Sequence, residues 1–144
     1  MRPMEGGEAE PKSTHGDELW RGAVLVVRAM TRANDSRPAQ EWLDRLAPRH
    51  RAKFEAAAEV LETSLVTGRP PAGRAVKVQV STTNMWELRI TKEGANPPHL
   101  RLFYVRRDWT LWAACGFTKT SNGLRNQDVA EGDRITNEWS RTLA

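Results

Sequence analysis

The hydrophobic pattern changes period once, at Pro70-Pro71, and that change limits the fold more than any other feature. Before it, Phe54, Ala58, Leu61 and Leu65 step by four, three and four residues, which is one face of an α-helix. After it, Trp86, Leu88 and Ile90 alternate with Glu87, Arg89 and Thr91, the period of a half-buried strand with a charged outer face. A chain that makes helices first and strands afterwards is expected to pack those helices onto a sheet, the α+β class.

Local chemistry sets the expected boundaries. Ala23-Val24-Leu25-Val26-Val27 is a short β-branched run and reads as a buried strand. Asn34-Asp35-Ser36 offers cap chemistry ahead of Pro38, which suits a first helical turn. Ala39, Trp42, Leu43 and Leu46 follow at helical spacing until Pro48, which ends that helix and can open the next. Gly68 is the stop of the second helix. Gly94 to Pro98 marks a turn, Leu100 to Arg106 a strand, and Trp109 to Phe117 another, joined through Arg107-Asp108. Gly123 and Asn126 precede a weak helix, roughly Asp128 to Arg141. The expected fold is a small antiparallel meander with two N-terminal helices on one face and a short C-terminal helix, in the order β-α-α-β-β-β-α. Residues 1–20 are rich in Gly, Glu, Pro and Ser without periodicity, and read as a disordered acidic leader to one domain spanning 21–144.

Several function classes are excluded by what the chain lacks. No apolar run approaches the ~20 residues of a membrane span. The first twenty residues carry Glu5, Glu8, Glu10, Asp17 and Glu18, unlike a signal peptide. Cys115 is the single cysteine, so neither an intramolecular disulfide nor a cysteine zinc site can form, and a cytoplasmic protein is expected. The ten glycines never fall into GxGxxG or a Walker spacing. Only His15, His50 and His99 are available for acid–base work, too scattered for a two-histidine pair. The carboxylates Glu87, Glu93 and Asp108 are not spaced to chelate a metal together, so no metal and no cofactor is expected.

What remains is positive charge concentrated in one stretch. Residues 66–126 hold ten basic and three acidic side chains, net +7, against +4 for the whole chain. Such an excess draws phosphates, or is simply a soluble face. Arg89 lies on the polar face of its strand, Arg101 on the next strand, and Lys119 just past the end of the third. Lys77, Arg106, Arg107 and Arg125 lie nearby in sequence as further RNA-binding candidates. Guanidinium forks bind phosphate oxygens bidentately and can stabilise the extra charge of a pentacoordinate phosphate. RNA brings its own nucleophile, the 2′-hydroxyl, so such a protein needs no Ser, Cys or metal. The competing reading makes Glu87 a cross-strand ion-pair partner of Arg89 or Arg101, worth about 0.2–1 kcal/mol.

Three segments together carry a family resemblance: Trp86-Glu87-Leu88-Arg89-Ile90, Leu100-Arg101-Leu102-Phe103-Tyr104 and Gly116-Phe117-Thr118-Lys119-Thr120. In this order and spacing they resemble the RelE/ParE toxin superfamily, and most closely its HigB-like, phage-related branch from bacterial type II toxin–antitoxin systems. The resemblance implies a ribosome-dependent mRNA endonuclease (an mRNA interferase) that inhibits translation by 2′-hydroxyl transesterification. Its implied partners are the ribosome, mRNA and a cognate antitoxin, a helix-turn-helix protein encoded beside it. Carried over by motif, Arg89 and Arg101 would face the scissile phosphate and Lys119 would neutralise the transition state. The family's C-terminal tyrosine has no counterpart here, since Tyr104 on a strand is the single tyrosine, which leaves His99 as the acid–base candidate. Two other functions fit the same fold: a catalytically weak or inactive relative that binds RNA or antitoxin, and a ParE-like DNA gyrase inhibitor.

Overall fold

The computed structural model describes residues 17–70, 74–91, 95–120 and 126–143. Strands β1 (Glu18–Arg21) and β2 (Val26–Ala29) come first, then helices α1 (Pro38–Asp44) and α2 (Pro48–Thr67). Strands β3 (Ala75–Lys77), β4 (Trp86–Arg89), β5 (His99–Arg107) and β6 (Thr110–Lys119) follow, and helix α3 (Asn126–Thr142) closes the order. The six strands form one sheet, β1-β2-β6-β5-β4-β3. This is the expected α+β class, and β4, β5 and β6 form the expected antiparallel meander.

The sheet departs from the expected one in four respects. It is mixed, because β2 pairs parallel with β6. The strand expected at Ala23–Val27 begins instead at Val26, because the Glu62 carboxylate accepts the N–H groups of Val24 and Leu25 at 2.9 and 2.8 Å and fixes them in a turn. Two short edge strands, β1 and β3, are additional. Four and three residues are too few to display a period. Strand β1 also draws Glu18, Leu19 and Trp20 of the expected leader into the sheet, while residues 1–16 lie outside the described residues. Gly94 and Gly123 lie outside them too.

The helix signals are realised with one change. Pro38 and Pro48 each open a helix, and Gly68 ends α2 in the left-handed region at φ 71°. Asn34 does not cap α1. Its side-chain oxygen accepts from the N–H and hydroxyl of Ser36, making a local turn, and Arg37 precedes the helix without a side-chain cap.

Both faces of the sheet are covered. Trp42 and Leu43 of α1 and Phe54 and Leu61 of α2 pack on Val27, Leu88, Leu100, Leu102, Tyr104 and Leu111. On the other face, Val129, Ile135 and Trp139 of α3 pack on Met30, Met85, Phe103, Val105 and Cys115. The C-terminal helix is therefore seventeen residues long and opposite the other two, rather than a short appendage. Gly132 allows its close approach, since a Cβ there would lie 2.7 Å from the Met85 sulfur and 2.8 Å from the Phe103 ring.

A register shift in the β5–β6 ladder decides which face β6 presents. Phe103 pairs with Cys115 but Tyr104 pairs with Ala113, so Ala114 is an extra residue, a bulge. Leu111 and Ala113 face α1 and α2. Without the bulge Lys119, of the same parity, would face them too. With it, Cys115, Phe117 and Lys119 turn toward α3, and Gly116 and Thr118 turn toward α1. Trp42 then lies against Gly116 and donates its indole N–H to the Thr118 hydroxyl at 3.0 Å.

Asp133 of α3 ties the helix to the β3–β4 turn. Its carboxylate accepts from the Ser81 hydroxyl at 2.8 Å, the Thr83 hydroxyl at 2.6 Å and the Thr82 N–H at 3.0 Å. Burial pushes this carboxyl up, but the bonds from Thr83, Thr82 and Ser81 outweigh it and hold the group below the ordinary carboxylate range.

Two expectations follow. Gly116→Ala places a methyl group in the Trp42 ring and should cost about 1–3 kcal/mol, read as a lower urea midpoint. Asp133→Asn should cost about 1.5–3 kcal/mol near neutral pH. Because the folded carboxyl is depressed, its stabilisation is complete above the unfolded value and is lost as pH falls through the folded one. The gap between wild type and Asp133→Asn should therefore narrow in acid. A gap independent of pH would rule out the carboxylate as the clamp.

Candidate nucleic-acid interface

The register brings four of the expected site residues together on the α3 face. Arg89 is opposite Arg101, Arg101 opposite Phe117, and His99 opposite Lys119. Adjacent strands are about 4.8 Å apart, so these side chains occupy one patch. The structure does not leave that patch open to solvent. Arg101 is 2% exposed and Lys119 7%, and even Glu87 is 6% exposed, whereas Trp86 on the supposed inner face is 37% exposed. The charged outer face expected from alternation is a second core, because α3 requires an apolar seat and Phe103 and Cys115 provide it.

Each buried charge there is matched. One Arg101 amino group donates to the Thr91 carbonyl at 3.1 Å, the Thr91 hydroxyl at 3.2 Å and the Leu100 carbonyl at 3.0 Å. Its Nε lies 4.0 Å from one Glu87 oxygen, while Arg89 Nε donates to the other at 3.2 Å. Lys119 Nζ is 2.8 Å from the carboxylate of Asp128 in the first turn of α3. Glu87 is thus an ion-pair partner of both arginines. His99 is 4% exposed, and its Nδ1 has no hydrogen-bond partner among the described residues.

Arg89 is the cation of this patch that reaches a surface. With Lys77, Gln79, Glu87 and Asn126 it lines a groove of about 390 Å³ between the β3–β4 edge and the start of α3. Arg106 and Arg107 do not join the patch, since five residues of strand place Arg106 about 17 Å from Arg101. Both are exposed. Arg106 Nε donates to the Asp108 carbonyl at 2.7 Å and its guanidinium lies 5.0 Å over the Trp109 ring, while Arg107 lies 5.0 Å over Trp139. Arg125 lies outside the described residues.

Two groups that could serve as nucleophile or acid are silenced. Burial, with Asp128 nearby, pushes the Cys115 thiol up to about 12, so it is no thiolate at neutral pH. Burial also pushes the Tyr104 phenol up, and Tyr104 sits on the opposite face against α2, so it cannot replace a C-terminal tyrosine. Thr91 and Asp128 escaped the sequence reading. Each meets its cation through hairpin or helix packing, which leaves no spacing signal. Among the described residues no helix is long and apolar enough to cross a membrane, and no three His, Cys, Asp or Glu side chains converge as a metal site.

Among protein-family models, the one described as "Phage derived protein Gp49-like (DUF891)" matches residues 41–136. That is 96 of 144 residues, from within α1 through most of α3, and it includes every cation of the patch. No curated protein matches the chain.

Removing one member of a buried pair strands the other in low dielectric. Lys119→Met should cost about 3–5 kcal/mol, and adding Asp128→Asn should recover part of it. Urea unfolding of the single and double variants measures both. A single variant as stable as wild type would show that the pair does not hold α3 to β6.

Proposed function

This chain belongs to the Gp49-like family of phage-derived proteins, a toxin-like family known in the context of RelE-type toxin–antitoxin systems, and on that premise we propose that it is a type II toxin that cuts mRNA on the translating ribosome. The family points to an antitoxin as partner. In the proposed reading the toxin is of the HigB-like branch, residues 18–144 are its domain, β1 included, and it works in the cytoplasm. Its antitoxin is a helix-turn-helix protein encoded beside it.

The observation that carries this reading is the register of the three motif cations. Arg89, Arg101 and Lys119 stand on one face of three neighbouring strands, with Arg89 at the mouth of a groove. In the proposed reaction the RNA 2′-hydroxyl attacks the adjacent phosphorus, the 5′-oxygen leaves, and a 2′,3′-cyclic phosphate remains. Arg89 stabilises the charge that develops on the phosphoryl oxygens. Arg101 is a positioning residue, because it shares the Glu87 carboxylate that orients Arg89. Lys119, paired with Asp128, fixes the start of α3 behind them, and His99, opposite it in the ladder, is the candidate acceptor for the 2′-proton. The ribosome supplies in-line geometry, for which well-oriented intramolecular attack is worth roughly 7–11 kcal/mol. Free RNA is then a poor substrate.

One observation favours a second reading, a non-catalytic protein that binds RNA or antitoxin. Arg101 and Lys119 are buried in ion pairs, away from any substrate.

End mapping of RNA after incubation with translating ribosomes separates the two. The endonuclease should create new ends carrying a cyclic or 3′-phosphate, and Arg89→Gln should slow their appearance about 10²-fold while the protein remains folded. Ends with a 3′-hydroxyl and 5′-phosphate would mean that water is the nucleophile. No new ends from folded protein would leave the binding reading standing.

A further inference from the structure

We infer that the cavity between the last turns of α2 and strands β3 to β6 is a docking site for the antitoxin, taking one apolar anchor of an acidic segment. The partner rests on the toxin–antitoxin reading, but the site does not rest on the endonuclease. The cavity measures about 270 Å³ and is lined by Leu61, Leu65, Trp86, Tyr104, Arg106 and Leu111 among others. A cavity of roughly 150 Å³ holds a benzene ring. Sites for whole small molecules run from roughly 300 to 1,000 Å³. This one fits a single leucine or aromatic side chain.

The cavity exists because of where α2 stops. Trp86 pairs with Tyr104 in the β4–β5 ladder, and both share the α2 face with Leu88 and Leu102. Leu88 is 1% exposed beneath the helix, but Trp86, at the start of the strand, is 37% exposed. Leu61 and Leu65 are the last α2 side chains packed on this core, since Gly68 ends the helix. The indole is an inner-face residue with too little helix above it. Apolar wall left open in this way is surface that a partner's side chain removes from water.

A buried polar group in the wall independently calls for an occupant. Tyr104 is 4% exposed, and its hydroxyl has no hydrogen-bond partner among the described residues. Burial holds the phenol protonated, so it is an O–H donor, and the cavity it lines is where an acceptor can reach it. A backbone carbonyl beside the partner's anchor has the chemistry to accept it.

Charge identifies what flanks the anchor. Arg106, two residues beyond Tyr104 on the same face of β5, is exposed at the mouth, and Lys77 at the sheet edge pairs with Trp86 in the β3–β4 register. Neither has a carboxylate within 4.0 Å among the described residues, and no acidic side chain among them lines the cavity. Arg106 instead lies 5.0 Å over the ring of Trp109, itself 40% exposed. Two exposed tryptophans beside an arginine without a carboxylate are the residue types that carry most protein–protein binding energy. Aspartate or glutamate on either side of the anchor would meet Arg106 and Lys77 and steer the encounter. RNA fits less well, because Leu61, Leu65, Ala75 and Leu111 offer no partner to a phosphate or a base edge. Arg89 faces α3 across the sheet, so an anchor docked here leaves the Arg89 groove uncovered.

The test is calorimetric titration of the full chain with the purified protein encoded beside it. Trp86→Ala should weaken binding about 30-fold. Tyr104→Phe, which keeps the ring and removes the O–H, should weaken it about fivefold. Arg106→Glu should weaken it about tenfold at low salt and less at high salt. Arg89→Gln should bind as wild type does. Thermal melting confirms that each variant folds, and Trp86 and Arg106 are exposed enough to be replaced without disturbing the core. No binding by the wild type, or affinity unchanged in Trp86→Ala and Arg106→Glu, would overturn the docking site. So would a labelled oligouridylate that binds the free chain with the same dependence on Trp86, which would make the cavity an RNA contact. Ribosome-dependent cleavage is read separately. Its absence alongside Trp86-dependent partner binding sinks the endonuclease and leaves the docking site, and the reverse pattern sinks the docking site alone.

Discussion

A helix laid across a sheet takes charges on that face out of water, and on the α3 face Glu87, Arg101 and Lys119 are all buried. Once buried, each charge costs several kcal/mol unless a partner offsets it. The Glu87 carboxylate shared by two arginines, the Thr91 groups around Arg101 and the Lys119–Asp128 pair are all answers to that one requirement. The apolar seat of the helix and the ion pairs at its first turn form a single unit, because neither can be placed without the other.

The same burial divides the cations by what they can do. Arg101 and Lys119 are fixed by acids and shape what lies above them. Arg89 keeps one edge on Glu87 and another side toward the groove. Arg106 and Arg107, exposed at the far end of β5, are held by tryptophan rings and a carbonyl. Positive charge that looks continuous along residues 66–126 is thus two populations, one internal and neutralised, the other external. Only the second contributes fully to the field that an approaching polyanion meets.

Much of the framework is legible from local chemistry. Pro38, Pro48 and Gly68 bracket the two helices because a missing N–H and a left-handed φ act within a few residues. Phe54, Leu61 and Leu65 of the stripe and the apolar series Leu88, Leu100 and Leu102 name the first core correctly. The short edge strands are not legible, because three or four residues cannot express a period. Nor is the parallel β2–β6 pairing, which depends on two segments more than eighty residues apart. At the candidate site, the alternation of Glu87, Arg89 and Thr91 with apolar residues correctly separates two faces. It cannot say whether the polar one meets water or a helix.

By itself the sequence determined the order of the helices and the longer strands, the first core, and that Arg89 and Arg101 fall on β4 and β5, since all of these rest on spacing along one chain; Lys119, expected just past the last strand, is its final residue. Tertiary structure alone decided where those cations point. The extra residue at Ala114 turns Lys119 from the α1 side to the α3 side, where it pairs with Asp128, and the amphipathic face of α3 closes over Phe103 and Cys115. The physical reason is that a strand fixes only the alternation of its side chains. The side that becomes interior is set by whichever distant segment loses most apolar surface to the sheet, and that choice belongs to the whole fold.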